Sequence, residues 1–252
     1  MISAVLLTKD NQETLKKTLD SLVSFAEVVI VDTGSKDKTL VIASRYPNVK
    51  VYQTPFTSFG ALRNKAASFA SYDWICAVDS DEELSEKLIC EIQATSLDEN
   101  NVYAFPRLNF FNGKEIRFSS WYPEEVVRLY HRKKCSFSDS LVHETLLFSH
   151  LRLERFHSPL YHTPYRSFED FLQKMQLYSS LFAKQHQHKK KSSLTRALLH
   201  AFFAFFKSYF LKKGFLGGKE GLIISIYNCH TAFYKYLKLW ERNQKSDSQN
   251  PS

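Results

Sequence analysis

The chain has 252 residues, 44% hydrophobic and 24% charged, so it can bury a substantial core and is too apolar for a disordered polymer. Lys and Arg (34) outnumber Asp and Glu (26), but nine of these cations and no acid lie between Lys184 and Lys219, which leaves 25 against 26 elsewhere. This distribution of charge argues against a surface that binds nucleic acid along its whole length, and we expect no nucleic-acid partner.

The first hundred residues alternate between strand-like and helix-like segments. Four apolar runs predict strands, and a segment with helical spacing of apolar residues follows each run. The runs are 2–7, 27–32, 49–53 and 74–78, and the helical segments are 11–23, 38–45, 61–70 and 84–94. This order predicts an α/β fold with a mostly parallel sheet and helices on both faces.

The pattern changes after residue 100. Strand candidates at 102–108 and 115–118 flank Asn112-Gly113, a dipeptide that favours a type I′ hairpin. Two more strand candidates follow, at 126–130 and 151–153.

From Phe168 to about Glu241 the apolar spacing is helical, and the last residues are polar. The expected organisation is an α/β domain over residues 1–165, a helical basic-aromatic region over 166–242 and a disordered tail over 243–252.

The cysteines and the N-terminus indicate a cytoplasmic chain. The four cysteines lie far apart without a C-x-x-C pair, which favours reduced thiols. The first residues lack a basic n-region and reach Lys9 and Asp10 after a short apolar run, so no signal peptide is predicted. No run approaches the roughly 18 apolar residues that cross a bilayer.

Asp79-Ser80-Asp81 directly follows the fourth apolar run. Two carboxylates one residue apart at the mouth of a parallel sheet suit a hard divalent cation that keeps positions open for phosphate oxygens. Acidic residues are also common at helix N-termini, where the helix dipole favours them. The motif alone leaves both interpretations open.

Three further sites also have two interpretations each. Asp32 ends the second strand, where a carboxylate suits a nucleotide base or ribose, or else shapes a turn. Arg63 offers a planar fork for phosphate oxygens, or is a solvated helical arginine. His143-Glu144 supplies a general base with an orienting partner, or is a chance adjacency.

These motifs occur in a fixed order. The strings VVIVDTGSKDKT, FGALRNKAASFASYDWICAVDSDEEL and VHE together resemble glycosyltransferase family 2, inverting GT-A enzymes that use nucleotide-diphosphate sugars. Thr8–Asn11, Val127–Tyr130, His162 and Lys213–Gly221 are similar to the β-1,4-glucosyltransferase type of lipopolysaccharide core biosynthesis. The resemblance covers nearly the whole chain. Asp10 departs from it, because many members carry asparagine directly after Thr-Lys.

The resemblance implies a nucleotide-sugar site. Thr8 and Asp32 would hold a uracil-type base, Arg63 would contact the nucleotide, and Asp79 would meet the ribose or the metal. Asp81 would be the main ligand of Mg²⁺ or Mn²⁺ on the diphosphate.

The resemblance also implies the chemistry. Glu144 would be the catalytic base, His143 would orient it, and His162 would be either a metal or diphosphate contact or a packed histidine. The expected reaction is inverting transfer of a hexose, glucose, from a UDP-sugar to a lipid-linked saccharide acceptor of the lipopolysaccharide core. The alternatives are another glycolipid, a polysaccharide or a peptide as acceptor, and a non-catalytic membrane-attached scaffold.

The basic segment 189–213 is rich in leucine and phenylalanine at helical spacing. This pattern suits a helix in a membrane interface, with its cations on anionic head groups. The alternative is a helix packed against the α/β domain with solvated basic ends. Because a lipid-linked acceptor stays in the membrane, we expect peripheral attachment to the inner face of the bacterial cytoplasmic membrane.

Overall fold

The computed structural model describes residues 1–139, 144–165 and 167–249. The chain divides into two compact units, the first comprising residues 1–108 and 124–164 and the second residues 109–123 and 165 onward. The second unit thus includes 109–123, a segment that the sequence analysis assigns to the α/β domain.

Twelve strands are present in the described ranges. They are β1 (Ile2–Thr8), β2 (Glu27–Asp32), β3 (Val49–Gln53), β4 (Trp74–Asp79), β5 (Glu82–Leu84), β6 (Asn101–Phe111), β7 (Lys114–Ile116), β8 (Glu125–His131), β9 (Ser136–Phe137), β10 (Leu146–Leu147), β11 (Arg152–Arg155) and β12 (Leu160–His162).

The main sheet of the first unit has the order β3-β2-β1-β4-β8-β6-β12-β5. The first four strands are parallel to one another, and β8 is antiparallel to β4. The predicted parallel core is therefore confirmed, and antiparallel strands extend it. A separate antiparallel pair is formed by β9 and β10.

Helices cover both faces of this sheet. They are α1 (Leu15–Asp20), α2 (Thr39–Ala43), α3 (Phe59–Phe69) and α4 (Glu86–Ala94). Because successive strand residues point to opposite faces, Leu6 of β1 packs in one core with Leu19, and Val5 packs in the other with Leu62.

The second unit is mainly helical. It contains α5 (Phe168–His186), α6 (Leu194–Phe206) and α7 (Gly218–Gln249), with a π-helical turn at Lys207–Leu211 and a 3₁₀ turn at Gly214–Gly217. Since α7 continues to Gln249, residues 243–249 are helical, although the sequence analysis places them in a disordered tail. Asn112 and Gly113 both have positive φ, 51° and 73°, and join β6 to β7 as the hairpin prediction requires.

Gly217 and Gly221 of the Lys213–Gly221 motif are required by packing within the second unit. A Cβ on Gly221 would lie 1.8 Å from the carbonyl oxygen of Gly214, and one on Gly217 would lie 2.2 Å from the Phe118 ring. This part of the resemblance therefore has a structural explanation that involves no ligand.

Glu27 is a buried carboxylate at the start of β2. It accepts hydrogen bonds from Ser3 Oγ (2.6 Å), Lys50 Nζ (2.9 Å) and Ser71 Oγ (2.9 Å). Burial opposes its ionisation, but these hydrogen bonds outweigh burial and lower the pKa of Glu27 from 4.5 to about 2. The folded protein thus favours the charged form.

We expect Glu27→Gln to lower the free energy of unfolding at pH 7 by up to about 3 kcal/mol. Because the pKa of Glu27 is lower in the folded state, its contribution is fully present above pH 4.5 and is lost as the pH falls towards 2. Urea denaturation at pH 7 and pH 2.5 measures both values. An equal loss at the two pH values would contradict this role of the ionised carboxylate.

Candidate active site

Thr8, Asp32 and Asp79 end three neighbouring parallel strands. In the sheet register Thr8 lies opposite Asp32, and Leu7 lies opposite Asp79. The three candidate residues therefore meet at the carboxyl-terminal edge of the sheet, where α/β proteins bind ligands.

Thr8 and Asp32 differ in how their polar atoms are satisfied. Thr8 is buried, and its Oγ1 has no hydrogen-bond partner in the described part of the chain, which suits contact with a ligand. The fully buried Asp32 carboxylate accepts from the backbone N–H groups of Gly34 (3.0 Å) and Ser35 (3.1 Å). Asp32 thus shapes the turn after β2, and its contact with a nucleotide base stays a prediction.

Asp79 is held by two arginines. Arg63 Nη2 donates to Oδ1 at 2.6 Å, and Arg128 Nη2 donates to Oδ2 at 2.5 Å. Burial opposes ionisation, but the positive charges of Arg128, Arg63 and Arg107 hold the pKa of Asp79 well below its ordinary value. Asp79 is therefore a charged carboxylate with a guanidinium on each oxygen.

The arginines extend into a buried ion-pair network that the sequence analysis does not predict. Arg128 also donates to Glu82 Oε1 (2.5 Å), and Arg107 donates to Glu82 (3.0 Å) and to Glu124 (2.5 Å). One sequence signal could have indicated this network: Arg128 lies inside the apolar run 126–130, and a buried guanidinium requires carboxylate partners.

The middle residue of the Asp79-Ser80-Asp81 motif is held by the segment after β1. Asn11 Nδ2 donates to Ser80 Oγ at 2.6 Å, and the hydroxyls of Thr14 and Thr18 donate to the Ser80 carbonyl at 2.8 and 3.1 Å. These contacts fix the backbone that presents Asp81. They give Asn11 a position beside the motif.

Asp81 lies next to His162. The His162 Nε2–Asp81 Oδ1 distance is 3.6 Å, and the Thr163 N–H donates to the Asp81 carbonyl at 3.1 Å. The antiparallel pairing of β12 with β5 brings these two residues together, although they are 81 residues apart in sequence.

The side chains at Asp81 fit a metal ion that also binds the substrate. Within residues 1–139, 144–165 and 167–249, no group of three or more His, Cys, Asp or Glu side chains could hold a metal ion. Mg²⁺, however, is usually bound by one or two carboxylates together with substrate phosphates and water. Asp81 with His162 meets that requirement, whereas the two arginines on Asp79 make it the poorer ligand.

Arg63 also connects Glu144 to Asp79 at the carboxyl-terminal edge of the sheet. Arg63 Nε donates to Glu144 Oε1 at 2.8 Å, so a single guanidinium binds Glu144 and Asp79. The Arg63 side chain is only 7% exposed, and the interpretation of Arg63 as a solvated helical arginine is therefore wrong. His143, the predicted orienting partner, lies outside the described residues.

Comparison with known proteins identifies the family. The sequence model of Glycosyl transferase family 2 matches residues 3–182. The chain belongs to this family. It is thus a glycosyltransferase. A separate finding is that none of the helices in the described ranges has the length and apolar character of a membrane-spanning helix.

Full-length relatives agree with this assignment. The chain is 28% identical to an uncharacterized glycosyltransferase of Rickettsia bellii, over 100% of this chain and 89% of the relative. It is 26% identical to the lipopolysaccharide core biosynthesis glycosyltransferase LpsC of Rhizobium meliloti, over 96% of this chain and 93% of LpsC.

A solved structure confirms the fold of this glycosyltransferase. The crystal structure of S. aureus TarS 1–349 in complex with UDP-GlcNAc is similar with a TM-score of 0.50 and 19% identity, over 98% of this chain and 91% of that one. The predicted GT-A architecture is therefore confirmed.

Proposed function

We propose that this glycosyltransferase moves a hexose, glucose, from a UDP-sugar to a lipid-linked acceptor of the lipopolysaccharide core, with inversion. The observation that carries the proposal is the single Arg63 guanidinium on both Asp79 and Glu144, which brings the candidate base beside the donor motif. The name of LpsC supports the acceptor class, and the UDP-GlcNAc complex of TarS supports the donor class.

The donor would lie along the carboxyl ends of β1, β2 and β4. The hydroxyl of Thr8, which has no partner among the described residues, is available to the nucleotide base, and Asp32 fixes the turn beside it. Asp79, with its oxygens oriented by Arg63 and Arg128, is placed to accept a hydrogen bond from the ribose.

Asp81 and His162 would hold Mg²⁺ or Mn²⁺ together with the diphosphate. A divalent cation bound there supplies positive charge to the diphosphate leaving group. The threonine and asparagine contacts on Ser80 keep Asp81 in place for this role.

Glu144 would accept the proton of the acceptor hydroxyl. Arg63 occupies Oε1, and no described residue donates to Oε2, which leaves that oxygen for the acceptor. As the acceptor oxygen bonds to the anomeric carbon, the bond from that carbon to the diphosphate breaks and UDP leaves with the electron pair. One displacement from the face opposite the leaving group inverts the configuration.

A thermal-shift panel tests the donor and the metal together. UDP-glucose, UDP-galactose, UDP-GlcNAc and GDP-mannose are compared, each with and without Mn²⁺. At 100 times its Kd a ligand stabilises the folded state by about 2.7 kcal/mol, which shifts Tm by several degrees. We expect a shift with UDP-glucose that a chelator abolishes. No shift with any UDP-sugar, or no Mn²⁺-dependent donor hydrolysis, would favour a non-catalytic scaffold.

An exposed apolar surface on the second unit supports membrane attachment. The helix α6 buries its small residues Ala197 and Ala201 and leaves most of its large ones exposed, with Phe202 at 68% and Phe203 at 62%. The apolar surface, as we name it, consists of Leu198, Leu199, Phe202, Phe203, Phe206, Phe210, Leu211, Phe215 and Leu216.

Cations accompany the apolar surface. Arg196, Lys207, Lys212 and Lys213 are exposed within the same stretch, which has no acidic residue. Exposed phenylalanine and leucine beside Lys and Arg match the apolar boundary and the anionic head groups of a bilayer. We therefore propose that this surface attaches the enzyme to the membrane that holds its acceptor.

We expect the Phe202→Ser/Phe203→Ser variant to bind anionic vesicles about 100-fold more weakly than the wild type, because two large apolar side chains no longer enter the bilayer. Flotation with phosphatidylglycerol-containing vesicles at raised salt measures this. Phe56→Ser, at a 41% exposed phenylalanine of the first unit, is the matched control and should float like the wild type. Equal flotation of all three proteins would contradict the proposal.

A further inference from the structure

We infer that Arg63 and Asn64 of α3 are positioning residues that fix Glu144 at a set distance from the end of β4. This inference rests on the proposed role of Glu144 as the base. It assigns to the Arg-Asn dipeptide a function in turnover rather than in donor binding.

The first support is the geometry of Arg63. Its Nε and Nη2 bind two carboxylates from different parts of the chain, Glu144 at 2.8 Å and Asp79 at 2.6 Å. The guanidinium also lies 5.3 Å from the centre of the Phe137 ring. Because the fork is planar and rigid, it sets the separation of the two carboxylates, which a lysine ammonium on a flexible stem does not do.

The second support is a set of hydrogen bonds between α3 and the residues of β9 and its C-terminal end; β9 pairs with β10, which begins two residues after Glu144. Asn64 Nδ2 donates to the Phe137 carbonyl at 2.9 Å, and the Phe137 N–H donates to Asn64 Oδ1 at 2.8 Å. Ser58, the N-cap of α3, donates to Asp139 Oδ1 at 2.7 Å. A side chain of the helix thus binds the backbone of β9, the strand that precedes Glu144 in the chain.

The pairing of β9 with β10 links the position of β9 to the backbone next to Glu144. Phe137 of β9 pairs with Leu146 of β10, and the Ser138 N–H donates to the Thr145 carbonyl at 2.9 Å, next to Glu144. Asn64 therefore fixes the backbone near Glu144, and Arg63 fixes its side chain.

This arrangement has a direct consequence for catalysis. A general base must lie within about 3 Å of the proton that it accepts, and a displacement of about 1 Å costs roughly 100-fold in rate. Glu144 is 14% exposed, so the acceptor can still reach the carboxylate that Arg63 orients. A residue that only binds the donor would change the donor KM rather than this distance.

A double-mutant cycle tests the inference on the full chain. Transfer from UDP-glucose to a truncated-core lipooligosaccharide, and hydrolysis of UDP-glucose, are measured with Mn²⁺ for wild type, Arg63→Lys, Glu144→Gln and the double variant. We expect Arg63→Lys to lower kcat about 100-fold in the wild type and less than threefold in Glu144→Gln, with the donor KM changed less than threefold. Arg155→Lys, an exposed arginine of β11, is the matched control and should change neither constant.

Asn64→Asp provides a second variant that leaves the buried ion pairs intact. It keeps the acceptor for the Phe137 N–H and removes the donor to the Phe137 carbonyl. We expect a loss of kcat that again disappears in the Glu144→Gln background. If Arg63→Lys does not fold, this variant carries the test.

Each outcome has one meaning. Equal losses in both backgrounds, or a loss confined to the donor KM, would overturn the positioning role while leaving the proposed function intact. Full turnover by Glu144→Gln would overturn the role of Arg63 together with that of Glu144. A wild type that neither transfers nor hydrolyses would contradict the proposed function itself.

Discussion

Replacing Asp81 by alanine is expected to abolish sugar transfer and to remove the Mn²⁺-dependent part of the thermal shift by UDP-glucose. Asp81 is the second carboxylate of the Asp79-Ser80-Asp81 motif, and its Oδ1 lies 3.6 Å from His162 Nε2. Several kcal/mol of charge stabilisation at the diphosphate corresponds to a loss of at least about 1000-fold in rate. Initial rates and Tm with and without chelator provide the two measurements.

Two variants make the Asp81 result interpretable. Glu83→Gln removes one negative charge two residues away, from a side chain that we assign no role in the site, and should keep both transfer and the metal-dependent shift. His162→Ala should weaken the shift without abolishing it, because Asp81 remains. A Mn²⁺-dependent shift that persists in Asp81→Ala would place the cation elsewhere.

The sheet could be predicted from sequence because its signal is local. The buried parallel strands β1, β2 and β4 have six or seven residues, each strand contains a continuous apolar run, and helical spacing follows each of them. The short strands β5, β9, β10 and β12 have only two or three residues, which is too few to show a period.

Only the part of the site that lies at the ends of the parallel strands could be predicted from the sequence. Strand order places Thr8, Asp32 and Asp79 on one edge, but the pairing of Arg63 with Glu144 spans 81 residues and leaves no sequence period. The apolar face of α6 was predictable for the same reason as the sheet. Which side of α6 is buried was not predictable, because the helix buries Ala197 and Ala201 and leaves most of its phenylalanines exposed.

Asp79 shows why the chemistry of a motif depends on its neighbours. From the motif alone, both aspartates of Asp79-Ser80-Asp81 are candidate metal ligands, and the family resemblance makes Asp81 the main one. In the structure Arg63 and Arg128 bind both oxygens of Asp79, so a divalent cation there would meet two fixed positive charges at short range. Asp79 is therefore better suited to orient Arg63, and our proposal gives the metal role to Asp81.

The second large effect is expected at Glu144, where glutamine should lower kcat by about 100-fold to 10000-fold and leave donor binding unchanged. Glutamine keeps the shape of the side chain and an oxygen that can accept from Arg63 Nε, but it cannot take the acceptor proton. The Mn²⁺-dependent shift by UDP-glucose, which reports the donor site around Asp79 and Asp81, should therefore equal that of the wild type.

Glu125→Gln is the matched control for Glu144→Gln, because Glu125 is a half-exposed glutamate paired with Arg155 on the surface of the first unit. It should retain full turnover. A proton-transfer role also predicts that Glu144→Asp regains little activity, since the shorter side chain moves the carboxylate by about the length of one methylene while the charge is kept. Near-normal turnover by Glu144→Gln would move the base to another residue. Loss of the UDP-glucose shift in that variant would instead make Glu144 part of the donor site.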